Sequence, residues 1–385
     1  MDPKSSPTPS RITALDALRG LAMVIMALDH VRDFFHDAAF SFQPDDLRQT
    51  TVALFFTRWM THFCAPVFMF AAGAGAYLWR QNGRSPAQLS SYLLKRGLWL
   101  VLLELTALRF ALNINIFSGP VLLTVLWALG WSMVALSVGS RLPPRLLAAV
   151  SLSLIALHHL ADAVSLPHPL WKVVHQQGAF VIGGVVVVAG YPLIPWIAVM
   201  AAGFCLGPVL QLDPPRRDKV LIRLGAGLIL MFAGLRALNL YGDPQPWSPQ
   251  PSAVWTVLSF LRCTKYPPSL DFLLMTLGPA LLLLAWFYRH SGRGAVLATI
   301  GRVPLFYFLG HMLLVQLLTF PFAWFRYGQV TFLLQGRPSG YPADYGYPLW
   351  TVYAVWIAVV AAMYPLCVWF GRLKATRRGG WIAYF

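Results

Sequence analysis

Ten stretches of this chain are long and apolar enough to cross a bilayer, and that repetition constrains the fold more than any motif does. A spanning helix needs about 20 mostly apolar residues, because every backbone N–H and C=O must be satisfied inside the hydrocarbon. The stretches run 12–35, 59–79, 92–112, 121–138, 146–164, 191–210, 221–241, 270–288, 303–322 and 350–370. Composition agrees: 57% of residues are hydrophobic and 11% charged, against about 25% charged in soluble domains. The sequence predicts an all-α, polytopic integral membrane bundle of about ten helices. A Gly- and Val-rich run at 178–190 would raise the number to eleven if it forms a re-entrant piece packed inside the protein.

The net charge of +16 does not mark a nucleic-acid partner, because the cations sit in short clusters between apolar runs rather than on one basic face. With ten spans, nineteen of the 30 Lys and Arg residues fall on the N-terminal side and nine on the other, with Arg19 and Arg236 inside spans. The positive-inside rule then places both termini in the cytoplasm. Residues 1–10 read as a disordered cytoplasmic tail, 11–371 as one transmembrane domain and 372–385 as a basic cytoplasmic tail. The first apolar segment carries Asp16, Arg19, Asp29 and His30, so it reads as a retained helix and not a signal peptide. Cys64, Cys205, Cys263 and Cys367 match no metal or redox spacing and read as buried free thiols.

Ionisable residues inside a bilayer are costly, so they nominate a functional site. At about 100° per residue, with Asp16 at zero, Arg19 falls near 300°, Gly20 near 40° and His30 near 320°, all on one face. Arg19 and His30 are separated by about 16 Å along the axis. That face offers a cation near the inner mouth and an imidazole about half a bilayer further out. Asp29 and Asp33 stand beside His30, where a carboxylate would orient the ring and raise its basicity. The competing structural reading pairs Asp16 with Arg19 and gives His30 an interhelical hydrogen bond. Metal ligation by His30, Asp33, His36 and His62 is disfavoured, because no H-E-x-x-H or H-x-x-x-H spacing occurs and Arg32 lies inside the cluster. No metal is expected.

A second intramembrane imidazole, His311, shares a face with Tyr307 and follows Gly301-Arg302-Val303-Pro304 at a cytoplasmic helix start. Two readings stand for it: contact with a substrate, or a core hydrogen bond. Glu104, between Arg96 and Arg109, reads as a buried ion pair, and the adjacent His158-His159 as a helix end. The long outer loops are rich in Tyr, Trp and Pro, notably Tyr341 to Pro348, which suits either sugar stacking or an interfacial ring belt.

The segment Leu15-Asp16-Ala17-Leu18-Arg19-Gly20-Leu21-Ala22, with His30 eleven residues beyond Arg19, resembles the opening motif of the transmembrane acyltransferase superfamily. That superfamily includes the acyltransferase-3 enzymes of bacterial surface glycans and the catalytic domain of heparan-α-glucosaminide N-acetyltransferase. Ala65-Pro66-Val67-Phe68-Met69-Phe70-Ala71-Ala72-Gly73 is similar to the second-helix P-x-F-x-F-x-x-G of the heparan acetyltransferase group. Residues 191–196, 264–270 and 301–311 look like its short prokaryotic branch. The acyltransferase-3 pattern implies a catalytic role for His30 with Arg19. The lysosomal enzyme's catalytic histidine lies further along, in a luminal loop, and has no counterpart here, so its mechanism does not carry over.

The resemblance implies an enzyme that moves an acetyl or other short acyl group from cytoplasmic acyl-CoA to a hydroxyl or amine of an extracytoplasmic glycan or glycolipid. The expected catalytic set is His30, Asp29, Asp33 and His311, with His311, Tyr307 or Lys265 as candidate oxyanion donors. Arg19, Arg80, Lys95, Arg96 and Arg302 are the expected acetyl-CoA phosphate contacts, since guanidinium groups match phosphate geometry. Membrane lipid and the glycan are the expected partners, in a bacterial inner membrane. Lipid-facing and subunit-facing surfaces look alike in sequence, so oligomeric state is not legible. A transporter using the Arg19–His30 face is the main rival, though the inverted repeats common in transporters are absent. A non-catalytic scaffold is the other.

Overall fold

The computed structural model describes residues 9–164, 166–290, 292–335 and 340–377. Lys4, Arg337 and Arg378 of the charge bias lie outside them, as do residues 1–8 and 378–385 of the expected tails. The chain runs α1 (Pro9–Phe35), α2 (Val52–Thr61), α3 (Cys64–Gln81) and α4 (Pro86–Leu103). A π-helical turn, Glu104–Leu108, leads to α5 (Arg109–Asn113). After β1 (Val121–Leu123) come α6 (Val125–Gly139), α7 (Pro144–Leu157) and α8 (Pro169–Val174), then β2 (Gly178–Ile182) and β3 (Val185–Ala189). The second half is α9 (Leu193–Leu206), α10 (Pro214–Leu238), α11 (Ala253–Leu261), α12 (Leu270–Arg289), α13 (Ala295–Gly301), α14 (Pro304–Tyr327) and α15 (Leu349–Thr376). The tail expected from residue 372 thus begins as the last turns of α15.

The protein is a helical membrane protein. Among the described residues, seven helical stretches are long and apolar enough to span by themselves: 52–81, 144–163, 193–211, 214–238, 270–289, 304–327 and 349–376. This is fewer than the ten segments read from the sequence. α1 is long enough but carries Asp16, Arg19, Asp29, Arg32 and Asp33. α6 has only 15 residues, about 22 Å of helix against a core of about 30 Å.

The bundle is not purely α. β2 and β3 form an antiparallel hairpin, with Val121 of β1 beside Val187 of β3 in a parallel pair. The 178–190 run is therefore not a packed re-entrant piece. Its β-branched residues favour strand, and Gly183-Gly184 supply the two positive φ angles (+55° and +80°) that a tight hairpin turn requires. Val181, Ile182, Val185 and Val186 at its tip are exposed.

α1 sits at the centre, packed against α3, α12, α13, α14 and α15. Small residues let the backbones close. A Cβ on Gly20 would sit 1.9 Å from the Leu297 carbonyl oxygen, and one on Gly301 would sit 1.8 Å from that of Asp16. Gly73 and Gly203 interlock α3 with α9 in the same reciprocal way. The glycines of the L-R-G and P-x-F-x-F-x-x-G segments are thus contact points between helices.

One further expectation is corrected by the packing. Glu104 does not pair with Arg96 or Arg109. Its carboxylate accepts from the Thr124 N–H and hydroxyl and from the N–H groups of Leu126 and Trp127. It caps α6, where a helix N-terminus favours negative charge. In the loop before α15, the Tyr345 and Tyr347 hydroxyls donate to the carbonyls of Phe34 and Phe322. Tyr345 joins Ala323, Phe332 and Leu333 in a small satellite core.

Candidate functional site

The Gly20–Gly301 contact brings the start of α14 onto the polar face of α1. Arg302 Nε lies 3.9 Å from Asp16 Oδ2, and the Arg19 guanidinium donates to Asp16 at 3.2 Å. A second Arg19 nitrogen donates to the Ala71 carbonyl at 2.5 Å, inside the P-x-F-x-F-x-x-G segment. Gly75, one turn on, leaves the space: a Cβ there would lie 2.5 Å from Arg19 Nη2.

These residues line a cavity of about 340 Å³ at the N-terminal end of α1. Its polar wall holds Asp16, Arg19, Arg96, Arg302 and Lys374, and its sides are apolar. Trp79 and Tyr92 stack at 4.5 Å along it, with the Arg96 guanidinium donating to the Tyr92 hydroxyl. Three of the expected phosphate contacts therefore converge. Lys95 does not: it is exposed on the outside of α4. Arg80 lines a separate cavity of about 580 Å³ with Tyr77, Arg141 and Phe204. Lys374 was missed as a site residue, although its position in a basic cluster at the inner end of the last span was a usable signal.

A second cavity, of about 460 Å³, opens at the other end. His30 lines it, with Asp29, Asp33, Arg58, Tyr191 and Tyr266. His30 Nδ1 lies 2.7 Å from His311 Nε2, and His311 Nδ1 lies 2.7 Å from the Tyr307 carbonyl. The carbonyl can only accept, so His311 carries its proton on Nδ1 and, when neutral, accepts at Nε2. His30 must then donate from Nδ1, which leaves Nε2 as the ring's lone pair. Among the described residues no protein group bonds that nitrogen.

The orienting partner of His30 is thus His311 rather than a carboxylate. Asp29 is held by Arg58 at 2.7 and 3.0 Å, by Arg32 at 2.7 Å and by the Thr61 hydroxyl. Asp33 bonds Arg32. Together they form a charge-balanced rim. His311 is fully buried, and neither it nor Tyr307 or Lys265 lines either cavity. Among the described residues, no group of three or more His, Cys, Asp or Glu is placed to hold a metal ion. His158 and His159 do lie at a helix end, with His159 and His175 both on Asp162.

The two cavities have two lining residues in common, Val125 and Phe308. A chamber rich in cations and an imidazole-bearing chamber therefore adjoin at these two side chains.

A search of curated proteins returns no match. The family described as heparan-alpha-glucosaminide N-acetyltransferase, catalytic, matches residues 11–246, well over half of the chain. The match takes in Arg19, His30 and the α3 segment and ends before His311 and Lys374. The chain belongs to the heparan-alpha-glucosaminide N-acetyltransferase catalytic family, a family of membrane acetyltransferases.

Proposed function

We propose that this protein transfers an acetyl or other short acyl group from cytoplasmic acyl-CoA to a hydroxyl or amine of an extracytoplasmic glycan or glycolipid. In this reading all ten sequence segments cross a bacterial inner membrane, with both termini inside. The observation that carries it is the pair of unlike cavities meeting beside one imidazole whose Nε2 lone pair is unengaged. Arg19, Arg96, Arg302 and Lys374 would hold the donor's phosphates at the inner mouth, and the apolar sides of that chamber suit a pantetheine arm.

His30 Nε2 would take the proton of the acceptor O–H or N–H as that atom attacks the thioester carbonyl. The tetrahedral centre collapses with loss of the C–S bond, and the departing thiolate takes the proton back from the imidazolium. His311 serves as a positioning residue, because its bond fixes the His30 tautomer and ring plane. The family's printed name supports acetyl as the group and a glucosaminide amine as one acceptor chemistry.

Purified protein in nanodiscs with radiolabelled acetyl-CoA tests this. His30→Ala should bind donor normally and lose about 10²–10⁴-fold in turnover, the contribution of a positioned base. His311→Ala should lower kcat with donor affinity unchanged, and His311→Asn, whose side-chain oxygen accepts, should restore part of it. Wild-type protein that neither binds nor consumes any acyl-CoA would overturn the reading and direct attention to transport.

A further inference from the structure

The meeting point of the two cavities carries a further inference, which rests on the acyl-transfer reading. Val125 and Phe308 line both chambers, and both are buried apolar side chains. Every charged group belongs to one chamber or the other. Val125 is a fixed jaw: it is the first residue of α6, whose entry is clamped by the bonds from Thr124, Leu126 and Trp127 to Glu104.

Phe308 comes from the opposite side, on α14. Its ring stands edge-on to His30, with centroids 5.9 Å apart, and to His311 at 5.8 Å. The ring thus lies between the cationic chamber and the imidazole. A phenyl side chain turns about two torsions, whereas the His30–His311–Tyr307 chain beside it is tied by hydrogen bonds.

We propose that Phe308, closing against Val125, is the partition through which the acyl arm reaches His30, and that its ring sets the largest acyl group admitted. An apolar constriction passes a thioester arm but excludes phosphates and hydrated ions, which cannot shed their water there. The donor's nucleotide would stay on the inner side while its acyl end crosses, and the membrane would stay sealed. Replacing the ring by a methyl group should join the chambers.

The test reads access and chemistry separately. Cys64, Cys205, Cys263 and Cys367 are replaced by Ser or Ala, and Leu112→Cys places one thiol on the outer chamber. A membrane-impermeant thiol reagent is then applied to each face of reconstituted vesicles. With Phe308 present, the thiol should label from the His30 face only. With Phe308→Ala it should label from the Arg19 face as well, at least tenfold faster than before, and Phe308→Leu should fall between.

In the same variants, preference for octanoyl-CoA over acetyl-CoA should rise at least tenfold with Phe308→Ala and fall with Phe308→Trp. Labelling from the Arg19 face that is unaffected by Phe308, or already fast with it present, overturns the partition. Joined chambers with unchanged acyl preference overturn the gauge. If no variant turns over any acyl-CoA, the acyl-transfer reading and the gauge fall together, while the labelling result still decides the partition.

Discussion

Two arginines lie inside spans in the sequence, and their surroundings could hardly differ more. Arg236, near the C-terminal end of α10, is 2% exposed. Its guanidinium donates to the carbonyls of Gln245, Ser259, Phe260 and Arg262 and faces Asp271 at 3.9 Å. It lines none of the three cavities described above and pins the segment between α10 and α12. Among the described residues Arg19 bonds Asp16 and the Ala71 carbonyl; it keeps 22% of its side chain exposed and lines the cavity at the N-terminal end of α1. A buried cation surrounded by acceptors is a staple. A half-buried cation with part of its donor fork facing a cavity has donor capacity left over.

The sharpest way to break this contrast is Arg236→Ala. It strands four carbonyls and the Asp271 carboxylate, and removing one partner from a buried charged network costs about 3–5 kcal/mol. That is much of the stability of a typical domain. Thermal unfolding in detergent should show a large fall in Tm, while whatever folded protein survives binds donor normally. Arg19→Ala should do the opposite. Its donor Kd should weaken at least tenfold, about 1.4 kcal/mol, with little change in Tm, as read by equilibrium binding of labelled acyl-CoA.

Gly75→Ala sharpens the comparison without removing a charge. The new methyl must push the Arg19 guanidinium aside, so donor affinity should fall by about two- to fivefold, with both arginines still present. The smallest effects belong to the mouth. Lys374→Ala should weaken donor binding about twofold at low salt and less at high salt, where screening shortens its reach. Lys95→Ala, on the outside of α4, should leave binding unchanged at any ionic strength.

The site was legible in part. Helical periodicity on α1 placed Asp16, Arg19 and Gly20 on one face, and it is this face that meets Gly301 and Arg302. The role of Asp29 was not legible. Its neighbour in sequence is His30, but its bonding partners include Arg58 and Thr61, brought in from another helix. His311 showed the same: its bond to His30 joins residues 281 positions apart, which no local spacing announces. Glu104 misled because Arg96 and Arg109 are close in sequence, whereas the donors that claim it come from the next helix start.

What solvent and local period govern was readable in the sequence by itself: membrane residence, most of the helical stretches, the polar stripe of α1 and the family, though not the hairpin at 178–190. Hydropathy and helical spacing are written in consecutive residues, so one chain suffices to read them. Only the tertiary structure decided which polar groups satisfy one another and which are left for a substrate. In a bilayer each buried charge must find partners wherever the packing brings them, and for Asp29, Glu104 and Arg236 several of those partners lie about twenty or more residues away. The cavity at the N-terminal end of α1 likewise takes its walls from four or more separate helices, with Gly75 and Gly301 among its lining residues.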